Sequence, residues 1–178
     1  MSIESDIVSK LMRLKKGSAR ADLTKVLSNH SVFASIVRKM ATPFADDNID
    51  IVVGIEASGI MFASGVAHFL RAGFVLARKE GRENSWTAVH EPFGKEYTRG
   101  EGGLEIVDDA VALGQRILIV DDFLETGIQL ATAMKLIERL GGKVVGASFF
   151  QANRTREHTL KFPKLKVRDF NNEDDIPV

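Results

Sequence analysis

Two adjacent carboxylates, Asp121 and Asp122, close the apolar run Ile117-Leu118-Ile119-Val120, and Phe123-Leu124-Glu125-Thr126-Gly127 follows before an amphipathic stretch. An apolar strand that runs into acids and a short helix-opening turn suits a sugar phosphate. Turn N–H groups and the positive end of the helix hold the phosphate, while the carboxylates reach pentose hydroxyls or a hydrated Mg²⁺. Neighbours on a strand start toward opposite faces, so one carboxylate aims at the hydroxyls and the other orients basic groups or metal-bound water. Asp46-Asp47, Asp108-Asp109 and Asp174-Asp175 lack this setting and read as solvated turns.

The elements that must position these groups alternate. Apolar spacing predicts helices over 3–14 and around Phe33, Ile36, Val37 and Met40, the second capped by Ser31 and ended before Pro43. Ile51-Val52-Val53-Gly54-Ile55 reads as a strand buried on both faces, leading through Glu56-Ala57-Ser58-Gly59 into a helix to Leu70. Phe74-Val75-Leu76-Ala77 is a second strand, with Arg78, Lys79 and Arg82 beyond its end. The third is 117–120, whose helix carries Leu130, Ala133, Met134, Ile137 and Leu140 on one face and stops at Gly141-Gly142. A fourth strand covers 143–150. The expected fold is α/β, a doubly wound, mostly parallel sheet flanked by helices, with ligands at the carboxyl ends of the strands. Residues 83–104 lose the pattern and are rich in glycine, so they read either as a flexible lid loop or as an antiparallel hairpin.

Length and charge narrow the function. The 178 residues, 44% of them hydrophobic, fit one domain, expected to comprise a small N-terminal hood at 1–21, the lid at 83–104 and a solvated tail at 171–178. With 24 basic and 24 acidic side chains the net charge is zero, against the positive field of a nucleic-acid binder. The absence of cysteine excludes disulfides, thiolate metal sites and a cysteine nucleophile. His30, His68, His90 and His158 show no metal-ligand spacing. No leader and no membrane-length apolar run is visible, so a cytoplasmic protein without membrane association is expected.

The run from Arg116 to Gly127 resembles the phosphoribosyl-diphosphate (PRPP) signature of the type I phosphoribosyltransferases: two acids, a short spacer, then Thr-Gly and a helix. The resemblance extends from about Asp22 to Phe150 and is strongest toward the adenine and xanthine branches. Asp22-Leu23-Thr24, Val53-Gly54-Ile55-Glu56-Ala57, Phe74 to Lys79, Glu96-Tyr97 and Leu104-Glu105-Ile106 are similar to adenine enzymes, whereas Ser58-Gly59-Ile60 is closer to xanthine enzymes.

This resemblance implies a type I phosphoribosyltransferase fold and an Mg²⁺-dependent transfer of a phosphoribosyl group from PRPP to a purine. Adenine is placed ahead of xanthine or hypoxanthine/guanine. It implies a homodimer in purine salvage; the alternative from another class is a PRPP- or nucleotide-sensing regulator without turnover. PRPP contacts are expected from Ala57, Ser58 and Gly59 at the pyrophosphate, from Arg78, Lys79 and Arg82, and from Asp121 and Asp122 at the ribose and Mg²⁺. Glu125, Thr126, Gly127, Ile128 and Gln129 are expected around the 5′-phosphate. Glu96 matches an acid–base group beside the base, joining Asp121 and Asp122 as catalytic; Phe150 and Asn153 stand where base contacts occur. Glu125, Ile128 and Gln129 depart from the usual turn. A β-branched Ile128 resists positive φ, so it must already have helical angles there.

Overall fold

The computed structural model describes residues 13–14, 21–81, 87–94, 102–152 and 165–170. The short pair β1 (Arg13–Leu14) and β2 (Ala21–Asp22) is antiparallel. A strand at Arg13–Leu14 replaces the end of the helix expected over 3–14, whose remainder lies outside the described residues. Next come α1 (Thr24–Leu27), α2 (His30–Ala41) and a 3-10 turn at Thr42–Phe44. The cap of α2 is Asn29 rather than Ser31: the Asn29 side chain accepts from the Val32 N–H at 3.1 Å. Ser31 is instead inside the first turn.

The main sheet has seven strands in the order β5-β6-β4-β3-β7-β8-β9. β3 (Ile51–Ile55), β4 (Gly73–Lys79), β7 (Arg116–Leu124), β8 (Lys143–Ala152) and β9 (Lys166–Asp169) run parallel, with β3 at the centre. β5 (Ala88–Pro92) and β6 (Gly103–Val107) add an antiparallel edge against β4. Within the segment read either as a lid or as an antiparallel hairpin, residues 88–92 and 103–104 are ladder residues of a hairpin. Leu104 and Ile106 are buried although no sustained apolar face was visible there. Pro92 ends the outermost strand, where a missing N–H costs no ladder bond.

α3 (Gly59–Leu70) crosses from β3 to β4, and α4 (Ile128–Arg139) from β7 to β8. The two helices cover opposite faces. α4 buries Leu130, Ala133, Leu136 and Ile137 against Val53, Ile55, Ile117 and Ile119. α2 and α3 bury Ile36, Met40, Phe62 and Val66 against Val52, Leu118 and Val120. Each large side chain among these contributes on the order of 1.5–3 kcal/mol by leaving water, and the two-sided burial explains the unbroken apolar runs Ile51–Ile55 and 117–120. Among the described residues, no helix is long and apolar enough to cross a membrane.

Candidate functional site

Three strands end side by side, and every described candidate residue except Phe150 lies in their last residues or in the segments that leave them. β3 gives way to the loop 56–59, β4 ends at Arg78 and Lys79, and β7 ends at Leu124 before the turn into α4. Because β4, β3 and β7 are neighbours and run parallel, their carboxyl ends meet at one edge of the sheet.

At the β3 end, Glu56 is buried, its N–H donates to the Ala77 carbonyl at 2.9 Å, and its Oε2 accepts from the Lys79 N–H at 2.8 Å. The Glu56–Ala57 peptide is cis. Ala57 is exposed, Ser58 is half-buried, and Ser58 stands at the N-cap of α3 without a side-chain cap bond. Gly59 opens the helix against β7 so closely that an added Cβ would lie 2.5 Å from Asp121 Oδ1 and 2.9 Å from Asp121 Cα. Only glycine admits this approach.

The two aspartates are not equivalent. Asp121 is 4% exposed, and its Oδ1 accepts from the Asp122 N–H at 2.8 Å. Asp122 is half-buried, which leaves its carboxylate as the solvent-reaching member of the pair. The two therefore differ in setting: Asp121 accepts from the backbone at the strand end, and Asp122 is the more exposed of the pair.

The turn after β7 ends in Gly127 at φ 77° and ψ −1°, the N-cap of α4. Glycine takes the left-handed conformation, so Ile128 is spared it and enters as the first helical residue. The Thr126 hydroxyl oxygen accepts from the Ile128 N–H at 3.4 Å, and the Gly127 carbonyl accepts from Ala131 at 2.9 Å. The first turn of α4 carries no acidic side chain, so no charge on the helix itself opposes an anion at its positive end. Glu125 and Gln129 are half-buried and Thr126 is exposed.

Arg78 is half-buried and Lys79 exposed at the end of β4, with Arg78 opposite the buried Glu105 of β6. His90 Nδ1 approaches Glu105 at 3.5 Å and Glu80 at 3.8 Å from the hairpin. α4 holds that hairpin from the other side: Arg139 donates to the His90 carbonyl at 2.5 Å and to Glu91 at 2.9 Å, and Lys135 lies 3.8 Å from Glu91.

Phe150, one of a pair whose sequence reads as core as well as standing where base contacts occur, is buried here. Its ring is 2% exposed and lies between Phe62 at 5.3 Å and Phe170 at 5.5 Å, stacked with both. A ring covered on both faces offers none to a base; Phe150 is a core group in this structure. Glu96, Arg82 and Asn153 lie outside the described residues. Sequence reasoning assigned no role to Glu56, although its signal was present: a carboxylate directly after five apolar strand residues, the same setting that singled out Asp121.

Among the described residues, no group of three or more His, Asp or Glu side chains could by itself hold a metal ion. The pair Asp121 and Asp122 still offers hard oxygen donors of the kind Mg²⁺ takes when water and substrate phosphates supply the remaining ligands.

The family model described as "Phosphoribosyl transferase domain" matches residues 23–176. The adenine phosphoribosyltransferase of Clostridium perfringens is 39% identical over 155 residues, 87% of this chain and 83% of that protein. That of Ruegeria pomeroyi is 41% identical over 128 residues, 72% of this chain and 70% of its own. The crystal structure of adenine phosphoribosyltransferase from Rhodothermus marinus superposes with a TM-score of 0.83 at 30% identity, covering 94% of this chain and 97% of the other.

Proposed function

The chain belongs to the phosphoribosyl transferase family, and we propose that it transfers the phosphoribosyl group of PRPP to adenine, releasing pyrophosphate and forming a nucleoside monophosphate in purine salvage. The observation that carries the reading is the elbow after β7. A buried aspartate fixes the backbone under an outward one, and a left-handed glycine then delivers a helix start free of acidic side chains. The elbow takes Ile128 as its first helical residue, with Glu125 and Gln129 half-buried beside it.

In this reading the anomeric carbon loses its bond to the pyrophosphate oxygen and gains one to a base nitrogen, passing through an oxocarbenium-like state. The protein's task is to hold the two partners in line and to stabilise charge. Thr126, Gly127, Ile128 and Gln129, with Glu125 beside them, hold the 5′-phosphate at the α4 start. Asp122 accepts from the ribose hydroxyls, and Asp121 holds Asp122 in place. The N–H groups of Ala57, Ser58 and Gly59, with Arg78, Lys79 and Arg82, receive the departing pyrophosphate. Glu96 takes the proton lost from the base nitrogen. Asp121 and Asp122 would hold Mg²⁺, partly through water or PRPP, and the ion would supply neutralisation of phosphate charge.

The same reading gives a cytoplasmic homodimer. Its support is the apolar surface that Met61 and Phe69 of α3 and Phe74 of β4 leave 38%, 45% and 38% exposed. The decisive test supplies the protein with Mg²⁺ and PRPP and offers adenine, xanthine, hypoxanthine, guanine and orotate separately while pyrophosphate release is recorded. Release with adenine at the highest kcat/KM is expected. Release with another base alone overturns the choice of adenine, and PRPP binding without release from any base overturns catalysis.

A further inference from the structure

Glu56 is a buried carboxylate at the ligand edge to which the transfer reaction assigns no contact. Its position follows from how β3 must leave the sheet. The parallel ladder between β3 and β4 ends at Ile55 opposite Ala77. The Glu56 N–H adds one more bond, to the Ala77 carbonyl, and then the chain turns away into the loop 56–59. That departure would orphan the next donor on the β3 side of β4, the Lys79 N–H, whereas Glu80 turns the other way and donates to Gly103 of the hairpin at 3.0 Å. The Glu56 carboxylate takes the place of the missing strand, accepting from Lys79 N at 2.8 Å across 23 residues of sequence. At 2.8 Å this is a well-formed hydrogen bond, and an acceptor oxygen at that reach ties the two strand ends together.

We propose that Glu56 is a positioning residue for the pyrophosphate half of the substrate. Acting through the Lys79 amide, its carboxylate sets the separation between the loop 56–59 and the basic pair Arg78–Lys79. A diphosphate thus meets backbone donors from one strand end and cations from the next in a single preformed arrangement. Gly59 against Asp121 then fixes the other side of the same loop, so the loop is held to both neighbouring strands. The inference rests on the reading of this edge as a PRPP site.

The experiment compares Glu56→Gln, Glu56→Asp and Glu56→Ala with the unaltered protein, measuring KM for PRPP and for the base, kcat, and calorimetric binding of Mg²⁺-pyrophosphate. Glutamine keeps an acceptor oxygen at the same reach, so KM for PRPP stays within about threefold. Aspartate falls one methylene short, and alanine has no acceptor, so both raise KM for PRPP and weaken pyrophosphate binding by roughly tenfold or more, with KM for the base unmoved. A merely structural role would move both KM values together and would lower the melting temperature in proportion. If the alanine variant does not fold, the order of the other two decides. Aspartate near the unaltered value with glutamine impaired shows that charge rather than reach matters and overturns the proposal, as does unchanged pyrophosphate binding in all three. Failure of the unaltered protein to bind PRPP overturns the site reading itself, which separates that outcome from a failure confined to Glu56.

Discussion

Replacing Gly59 with alanine tests the closest approach in the site. The new Cβ would stand 2.5 Å from Asp121 Oδ1, 2.9 Å from Asp121 Cα and 3.1 Å from the Val120 carbonyl oxygen. Two of these atoms are main chain of a central strand, and the third belongs to a buried carboxylate already bonded to the Asp122 N–H. None is the free end of a flexible side chain, so the helix start and the strand end must part by several tenths of an ångström. Overpacking of this kind costs about 1–3 kcal/mol, against which alanine regains roughly 0.5–1 kcal/mol of helix preference. The net loss is about 1–2 kcal/mol, a fall of roughly 2–8 °C in melting temperature for a chain of this size. The displaced Asp121 also carries Asp122 with it, and a loss of about 1.4 kcal/mol in PRPP binding corresponds to a tenfold higher Kd. Differential scanning fluorimetry and titration calorimetry with PRPP and Mg²⁺ read the two effects separately. A variant that melts within a degree of the parent and binds PRPP within a factor of two would refute the claim that glycine is required by the contact between α3 and β7.

Asp122→Asn should weaken PRPP binding by roughly tenfold while leaving the melting temperature in place, because the outward carboxylate serves the ligand and not the core; unchanged affinity by calorimetry would remove Asp122 from the ribose. Phe150→Ala should lose about 3–5 kcal/mol in urea unfolding, since it empties the middle of the stack with Phe62 and Phe170. A raised KM for adenine with stability intact would restore Phe150 to the base. Phe74→Glu should convert a sedimenting dimer to a monomer by placing a charge in the exposed apolar surface of α3 and β4, and a monomeric parent would dispose of the dimer. Arg139→Ala should cost only about 0.5–1 kcal/mol, because that guanidinium is half-exposed where it meets Glu91; a loss several times larger in urea unfolding would show that α4 anchors the hairpin far more tightly than the geometry implies.

The central strands were legible because burial on both faces leaves no polar position to confuse the pattern, as Ile51–Ile55 and the apolar part of Arg116–Leu124 illustrate. Edge strands lack that signature. Ala88–Pro92 has one wet face and a terminal proline, and Lys166–Asp169 alternates charged with buried positions over only four residues, so neither stood out. The cap of α2 was displaced by two residues for a local reason: Asn29 and Ser31 both suit an N-cap, and which one serves depends on where the chain turns rather than on residue type. Phe149-Phe150 gave the right element but not the direction of either ring, which depends on the register of Asp121 with Phe149 and on Phe170 arriving from β9.

Within the site, legibility followed the range of the interaction. Gly127 and Ile128 were readable because the constraint is contained in one residue: a β-branched side chain refuses positive φ, so the glycine must take it, and the helix must begin at the next position. The division of labour between Asp121 and Asp122 was half readable, since alternation separates two neighbours without saying which of them is buried. Glu56 was present in the sequence but had no visible role, because its partner is a backbone amide 23 residues away that becomes an orphan only when β3 leaves the sheet before β4 does. The three positions share one cause. Parallel strands of unequal length end at one edge with unpaired main-chain donors, and whichever side chains satisfy those donors also determine how rigidly the flanking loops are held. Buried carboxylates at such an edge, Glu56 and Asp121 alike, hold the backbone first, and in the proposed function direct contact with the substrate falls to Asp122 and the helix start after Gly127.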